Sequence, residues 1–164
     1  MARRVMLRVQ VITVGKLKEK WLSEAVAEYS KRLGRFCRLE IEEVGDERID
    51  VAGGAPGIER GLRREGDRAL SRIAPGAYVV VADIRGEAPD SVGFAGKIGA
   101  LLSQGRGLAF VVGGSHGVHA DVLARADWRL SMSRMTFPHQ LARLILVEQI
   151  YRAFKILADE TYHK

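Results

Sequence analysis

The chain has 164 residues, of which 47% are hydrophobic and 28% are charged, and its formal net charge is +6. This size and composition predict one globular domain over residues 1–164 with its own hydrophobic core. No apolar run approaches the roughly 20 residues that span a bilayer. The chain has one cysteine, Cys37, which excludes an internal disulfide framework and a cluster of thiolates for a metal.

Residues 1–5 are basic, but no long apolar stretch with a small-residue cleavage site follows them. We therefore expect a cytoplasmic protein with no membrane partner. The basic charge suits a polyanionic partner, because contacts to phosphates release counterions. Charge alone leaves a nucleic-acid partner and other partners about equally favoured.

Strand-like and helix-like segments alternate along the chain. The first strand is predicted over residues 6–14, where Leu7, Val9 and Val11 occupy alternate positions before Gly15. The next predicted elements are a helix over 20–33, a strand over 36–44, a mobile loop over 45–57 and a charged helix over 58–73.

Two segments, residues 78–84 and 108–112, are almost entirely apolar, which is typical of strands buried on both faces. The remaining predicted elements are helices over 91–102, 120–125 and 138–158 and a short strand over 128–130. This alternation indicates an α/β fold with a mostly parallel sheet and helices on both faces.

Glycines follow the buried strand 108–112, in the run Gly113-Gly114-Ser115-His116-Gly117. Such a strand end is a common ligand site, because the backbone can approach a ligand closely. The spacing does not match the G-x-G-x-x-G dinucleotide motif, which disfavours a nicotinamide oxidoreductase. The alternative is a tight turn that binds nothing.

The segment before the last helix, residues 130–139, is too polar for a core and too apolar for a plain surface loop. Its backbone could contact an adenine while Met132, Met135 and Phe137 supply apolar walls. A connector without a ligand is the alternative.

The last predicted helix has an unusually wide apolar surface. Its charged stripe contains two i,i+4 pairs of opposite sign, Glu148 with Arg152 and Lys155 with Asp159. The apolar positions are Leu144, Ile145, Leu146, Val147, Ile150, Ala153, Phe154, Ile156 and Leu157. A surface this wide must be covered on two sides, by the sheet and by a second subunit, or else by a central position in a monomer.

The histidines lie in the last third of the chain. The pattern His116-x-x-His119 with Asp121 is weak evidence for metal binding, and we expect no metal site. In the terminal segment, residues 160–164, aromatic, imidazole and ammonium groups could stack on a base and hold a phosphate. A frayed, solvated tail is the alternative.

Seven motifs in order carry a resemblance to a known family. They are T-V-G-K-L-K at 13–18, A-E-Y-S-K-R-L at 27–33, F-V-V-G-G-S-H-G at 110–117, L-S at 130–131, M-T-F-P-H-Q at 135–140, E-Q-I-Y-R-A-F-K at 148–155 and Y-H-K at 162–164. Over essentially its whole length the chain resembles the RlmH family, which methylates N3 of a pseudouridine in bacterial 23S ribosomal RNA.

This resemblance implies a SPOUT fold with a C-terminal trefoil knot, S-adenosylmethionine bound in the knot, and a homodimer. The implied cofactor contacts are Ala82, Gly113, Met132, Ser133, Arg134, Met135, Thr136 and Phe137. Ala82 stands where family members often have leucine, so a side-chain contact there would be smaller. Ser115-His116 stands where many members have Pro-Glu, so we assign His116 no catalytic role.

Methyl transfer to N3 requires loss of the N3 proton. We expect the catalytic residues to be His163, Tyr162 and Arg152: the tail closes over the base, His163 accepts the proton, and Arg152 steadies the anion or a phosphate. Arg134 and Lys164 would assist Arg152. A straight last helix would put the tail about 30 Å from Pro138, which favours a site shared across a dimer.

The small surface of one chain favours an assembled ribosome over free RNA as the substrate. The rival interpretation is a ribosome-associated RNA-binding protein without catalytic activity. That interpretation would account for the charge and for a dimer, but it would leave Gly113-Gly114 and the segment 131–137 without a role.

Overall fold

The computed structural model describes residues 6–164, so the basic residues 1–5 lie outside the described part of the chain. Its elements, in chain order, are β1 (Arg8–Val14), α1 (Lys20–Leu33), β2 (Arg38–Val44), α2 (Gly54–Arg72), β3 (Tyr78–Glu87), α3 (Ser91–Ser103), β4 (Leu108–Val112), α4 (Ala120–Arg125), β5 (Trp128–Leu130) and α5 (His139–Leu157). The predicted bounds of α1, β4, α4 and β5 are confirmed to the residue.

The five strands form one sheet in the order β2-β1-β4-β3-β5, and every neighbouring pair is parallel. Alternate residues of β4 enter different cores: Phe110 packs with α3 and α5, whereas Val111 packs on the opposite face. Helices α1, α3 and α5 cover the first face, and α2 and α4 cover the second. The predicted α/β class and the parallel sheet are therefore confirmed.

Helix α2 begins four residues earlier than predicted, at Gly54, and the loop before it is correspondingly shorter. That loop is held rather than free. The Glu47 amide donates to Glu65 at 3.0 Å, and the Arg68 guanidinium donates to the Gly45 carbonyl at 2.8 Å. Asp50 also accepts from the Gly53 amide at 2.8 Å. The expectation of a mobile loop over 45–57 has no support in these contacts.

Helix α5 lies between α1 and α3, and it contacts both of them as well as β4. Its apolar positions Leu146, Val147, Ile150, Ala153 and Phe154 are buried in this arrangement. The wide apolar surface is thus largely covered within the chain, as expected of a central helix. The breadth of α5 alone does not require a second subunit, and the homodimer stays a prediction.

The end of α5 differs from the prediction in its ion pairs. Glu148 and Arg152 are paired at 2.6 Å as expected. Lys155 instead pairs with Glu160 at 2.5 Å, because the chain turns at Asp159, whose φ is 52°. The predicted pair of Lys155 with Asp159 is therefore wrong, and the turn sends the tail back along the helix.

Within residues 6–164, no helix is both long enough and apolar enough to cross a membrane. The trefoil knot stays a prediction from the family resemblance.

Candidate functional site at the carboxyl edge of the sheet

The segment 131–137, between β5 and α5, is shaped by its own hydrogen bonds. The buried Ser131 hydroxyl donates to the Ser133 carbonyl at 2.9 Å. The Ser133 hydroxyl accepts from the Met135 amide, also at 2.9 Å. These short-range bonds hold the loop in a defined shape, although Met135 itself is 69% exposed.

Two cavities adjoin this loop and share Leu130, Ser131, Met132, Ser133 and Phe137 as lining. The larger cavity, about 410 Å³, is also lined by Pro89, Asp90, Ser91, Phe94, Ile145, Leu146 and Gln149. The smaller cavity, about 130 Å³, is also lined by Ala82, Asp83, Ile84, Met135, Thr136 and Ala142. Both lie at the carboxyl ends of β3 and β5, where parallel sheets bind ligands.

The structure brings together six of the eight residues that the resemblance implied for the cofactor. They line the smaller cavity and are Ala82, Met132, Ser133, Met135, Thr136 and Phe137. Arg134 lies in the same loop, but it is exposed and lines neither cavity.

Gly113 lines neither cavity, although it follows β4 at the same edge of the sheet. A Cβ atom at this position would lie 2.5 Å from the Gly117 carbonyl oxygen and 2.6 Å from a Val118 methyl group. The turn's own packing therefore requires glycine here. This contact gives the tight-turn alternative a physical basis that is independent of any ligand.

The polar wall of the larger cavity was missed by the sequence analysis. Asp90 caps α3 by accepting from the Gly93 amide at 2.7 Å. The Ser91 hydroxyl donates to the Gln149 side chain at 2.8 Å, joining α3 to α5. Asp90 before an apolar periodic segment is a recognisable helix-start signal. The Ser91–Gln149 contact spans 58 positions and leaves no local signal.

A buried arginine anchors α5 at the same edge. Arg143 is 1% exposed, and its guanidinium donates to Glu43 at 2.6 Å and to the Gly15 carbonyl at 2.9 Å. These bonds tie the first turns of α5 to the ends of β2 and β1. Burial and the nearby Arg143 charge lower the pKa of His139, in the first turn of α5.

The three residues predicted to be catalytic lie together on the outer side of α5. The Tyr162 hydroxyl donates to Glu148 at 3.1 Å, and the Tyr162 ring packs edge-on against Tyr151 at 5.0 Å. The Arg152 guanidinium lies 4.7 Å above the Tyr162 ring and 3.2 Å from Nδ1 of His163. Glu148, which joins Tyr162 to Arg152, was not predicted as a site residue.

This arrangement corrects the predicted distance of the tail from the loop 131–137. Tyr162 reaches back to Glu148, only ten residues beyond Pro138, which is about 15 Å along the helix rather than 30 Å. Glu148 also accepts from Gln149 at 2.8 Å, and Gln149 lines the larger cavity. The tail and the cavity are therefore linked by hydrogen bonds within one chain.

Tyr162 is held as a neutral phenol. Burial, followed by hydrogen bonds with Tyr29 and with the Glu148 carboxylate, raises the pKa of Tyr162. A phenolate beside Glu148 would place two negative charges together. Tyr162 is thus suited to donate a hydrogen bond and to stack, but not to accept a proton.

The two histidines considered for a metal have different partners. His119 caps α4, accepting from the Asp121 amide at 3.1 Å, and its other ring nitrogen lies 2.8 Å from Glu59. His116 contacts the Ser115 hydroxyl at 3.1 Å. His119 therefore has a structural role that joins α4 to α2.

A parallel sheet with cavities at its carboxyl edge defines an α/β protein that binds a small ligand at the strand ends. The family model described as "Predicted SPOUT methyltransferase" matches residues 7–163. The chain belongs to the SPOUT methyltransferase family.

One further comparison agrees with this assignment, and another agrees with the fold. The ribosomal RNA large subunit methyltransferase H of Ruminiclostridium cellulolyticum is 48% identical over 159 residues, which cover 96% of this chain and 100% of that protein. The crystal structure of a "probable methyltransferase" from Bordetella pertussis Tohama I has a TM-score of 0.55 at 16% identity. That match covers 90% of this chain and 96% of the other. It supports the fold.

Proposed function

We propose that residues 1–164 form one domain that transfers a methyl group from S-adenosylmethionine to N3 of a pseudouridine in 23S ribosomal RNA. The observation that carries this proposal is the shaped loop 131–137 between two cavities at the carboxyl edge of the sheet. The relative that is 48% identical over its full length is named a large subunit ribosomal RNA methyltransferase.

The lining of the cavities fits this cofactor. Ala82, Met132 and Phe137 provide apolar surface for an adenine, and the backbone of 133–136 provides donors and acceptors at its edge. Asp90 and Gln149 provide polar groups for the ribose and amino-acid parts in the larger cavity. When bound, the cofactor supplies an electrophilic methyl group on a sulfonium. Gly113, at the same sheet edge, and Arg134, in the same loop, remain predicted contacts that line neither cavity.

The distribution of unpaired cations favours RNA at the same edge. Within residues 6–164, most arginines and lysines have an acidic partner within 4.0 Å, including five arginines of α2. Five exposed cations have no such partner and lie in the loops after β1, β2 and β5 or in the last residues of β3. They are Lys16, Lys18, Arg48, Arg85 and Arg134. Cations free of acidic partners can neutralise phosphates at full charge.

The assembled large subunit or whole ribosome, in the cytoplasm, is the substrate we favour, because the chain offers little surface for reading sequence. The test is incubation of ribosomes that lack this modification with the protein and a labelled methyl donor, followed by mapping of the methylated nucleotide. We expect one labelled pseudouridine in 23S RNA. Label at another nucleotide, or none, would contradict the proposal.

Calorimetry with S-adenosylmethionine separates the enzyme from a ribosome-binding protein without activity. We expect saturable binding, and we expect Phe137→Ala to weaken it about tenfold or more through loss of apolar contact. The matched control is Phe36→Ala, which lies away from both cavities. Absence of binding by the wild-type protein would favour the inactive RNA-binding alternative.

We also propose a homodimer, with the tail of one subunit acting beside the cofactor loop of the other. Large apolar side chains remain exposed on the helices that flank α5: Trp21 of α1 is 57% exposed and Val92 of α3 is 55% exposed. A second copy seated across α1, α5 and α3 would cover them and face the tail.

Mixing two impaired variants, at a methyl-donor concentration too low for the loop variant to bind it, tests this shared site. One variant carries Phe137→Ala in the loop 131–137, and the other carries His163→Ala in the tail. A shared site restores part of the activity in mixed dimers, up to about a quarter of the wild-type level if subunits exchange randomly and one site per dimer is intact. No restoration in a mixture shown to exchange subunits would place the site within one chain.

A further inference from the structure

The Glu148 carboxylate organises the tail. Its Oε1 accepts from Nε of Arg152 at 3.1 Å, from Nη2 of Arg152 at 2.6 Å and from the Tyr162 hydroxyl at 3.1 Å. Its Oε2 accepts from the Gln149 amide at 2.8 Å, and Gln149 in turn accepts from Ser91. Four donors thus fix a side chain that is 17% exposed. Arg152 is held in one orientation as a result.

That orientation decides which nitrogen of His163 is available. The guanidinium atom Nη1 of Arg152 lies 3.2 Å from Nδ1 of His163. A guanidinium can only donate hydrogen bonds, so Nδ1 is the acceptor. A neutral imidazole that accepts at Nδ1 carries its hydrogen on Nε2. The free side of the ring therefore offers an N–H group.

We propose that Glu148 is a positioning residue that holds Arg152 against Nδ1 of His163, so that His163 serves methyl transfer as a hydrogen-bond donor through Nε2. This inference rests on the proposed function, and it replaces the expectation that His163 accepts the proton. A ring that accepted a proton at Nε2 would need its other hydrogen on Nδ1, pointing at the Arg152 donor.

The reaction balances without a histidine base. The N3–H bond breaks and its proton passes to solvent, leaving a pyrimidine anion whose charge is shared with the flanking carbonyl oxygens. The N3 electron pair then forms the bond to the methyl carbon, and the carbon–sulfur bond breaks to leave a neutral thioether. A donor at a carbonyl oxygen stabilises the anion throughout. The Nε2–H group of His163 is suited to that position.

The charged and titratable groups near this ring belong to α5, the tail and α1. Arg152 of α5 contacts the ring directly, and Tyr162 and Lys164 are its neighbours in the chain. Glu148 accepts from Arg152 and Tyr162, and Tyr29 and Arg32 of α1 lie behind Tyr162. The Glu148 hydrogen bond, opposed by partial burial, raises the pKa of Arg152, which therefore stays charged throughout the working range. The predicted pH dependence comes from the nucleobase. A rate measured in a single turnover should keep rising with pH above neutrality. A rate that levels off just above neutral pH would indicate a base on the enzyme.

Two variants of His163 separate a donor from a base. The amide nitrogen of His163→Gln can occupy the position of Nε2, whereas that of His163→Asn occupies the position of Nδ1. We expect the Gln variant to keep its rate within about tenfold of wild type, and the Asn and Ala variants to lose about 10²–10³-fold, the usual effect of one lost donor. Equal losses in the Gln and Ala variants would overturn the donor role.

The role of Glu148 is tested by a double-mutant cycle. Glu148→Gln should lower kcat by about tenfold to a hundredfold with little change in the KM for the methyl donor. In a His163→Ala background the same substitution should have a much smaller effect, because the route from Glu148 through Arg152 to His163 is then absent. Additive losses in proteins with unchanged thermal unfolding would mean that Glu148 acts by another route.

Nitrogen-15 spectra of the imidazole test the same inference without any methyl transfer. We expect His163 in the wild-type protein to carry its hydrogen on Nε2, and the Glu148→Gln variant to show a mixture of the two tautomers. A wild-type ring with its hydrogen on Nδ1 overturns the inference. Failure of the proposed function is distinct from this, since it would appear as a wild-type protein that binds no methyl donor and labels no ribosomal RNA.

Discussion

Cys37 lies in the core beneath α1 and is only 1% exposed. Burial raises the pKa of its thiol to about 12, so almost none is present as the reactive thiolate at neutral pH. We expect the native protein to resist a thiol reagent at pH 8 and to react with one equivalent after unfolding in guanidinium. Rapid, stoichiometric labelling of the native protein would contradict this.

Two carboxylates on α2 should change stability in opposite directions. Burial raises the pKa of Glu65, so stability falls as pH rises from the unfolded value, about 4.3, through the folded value. Glu65→Gln should therefore raise the free energy of unfolding at pH 7 and change it little below about pH 4.

Glu59 is the matched control for Glu65. Its hydrogen bonds with His119 and Arg63 lower the pKa of Glu59, so its contribution is present above the unfolded value and lost as pH falls through the folded value. Glu59→Gln should be slightly destabilising at pH 7. Denaturant titrations of both variants at pH 4 and pH 7 measure these changes. Changes of the same sign in the free energy of unfolding at pH 7 would contradict the two predictions.

For single residues, the sequence could predict those site residues whose role is indicated by their neighbours in the chain. The apolar walls Met132, Met135 and Phe137 were predicted because they cluster in one loop. Glu148 and Gln149 were missed as site residues because their function depends on partners brought together by the fold, such as Ser91 and Tyr162. The expected distance of the tail was wrong because the turn at Asp159 had no recognisable signal.

At the scale of the elements, replacing a glycine by alanine should have opposite effects on stability in α2 and in α3. A Cβ atom at Gly57 of α2 would lie 2.3 Å from the Asp50 carbonyl oxygen, whereas nothing lies within 4 Å of a Cβ atom at Gly96 of α3. Gly96→Ala should stabilise the protein by about 0.5–1 kcal/mol, because alanine favours a helix. Gly57→Ala should destabilise it by about 1–3 kcal/mol through the clash with backbone.

Thermal unfolding measures both glycine variants, with about 2–4 °C expected per kcal/mol in a chain of this size. An increase in Tm for Gly57→Ala would contradict the close approach of residues 49–50 to α2. The same approach explains the late predicted start of α2. Gly54, Pro56 and Gly57 predict a loop from composition, yet proline is tolerated in a first helical turn and glycine is needed by the packing.

Helices and strands with a regular pattern of apolar residues were predicted well. Strand β4 is five buried residues between glycines, and α1 has a regular apolar face. Strand β3 continues to Glu87, beyond the predicted end at residue 84, because Gly86 allows the backbone to lie against Arg129 of β5. The need for that close approach exists only in the folded sheet.

At the scale of the whole molecule, the unpaired cations at the carboxyl edge predict that RNA binds this edge and that the binding weakens with salt. Arg85→Gln and Arg134→Gln should each weaken binding to large-subunit RNA and lower the slope of log affinity against log salt by about one. The control is Arg106→Gln, which lies before β4 at the opposite edge and stacks on Tyr78. Equal losses in all three variants would indicate binding without a preferred face.

The position of β1 in the sheet has a consequence for synthesis of the chain. One edge of β1 pairs with β2, which is synthesised soon afterwards. The other edge pairs with β4, which begins roughly 100 residues later. At ribosomal rates of roughly 5–20 residues per second, β1 leaves one edge open for roughly 5–20 s. Open strand edges invite pairing with other chains. The unfinished chain should therefore be most prone to aggregate between the synthesis of β1 and that of β4, and release of chains truncated before β4 should give insoluble protein.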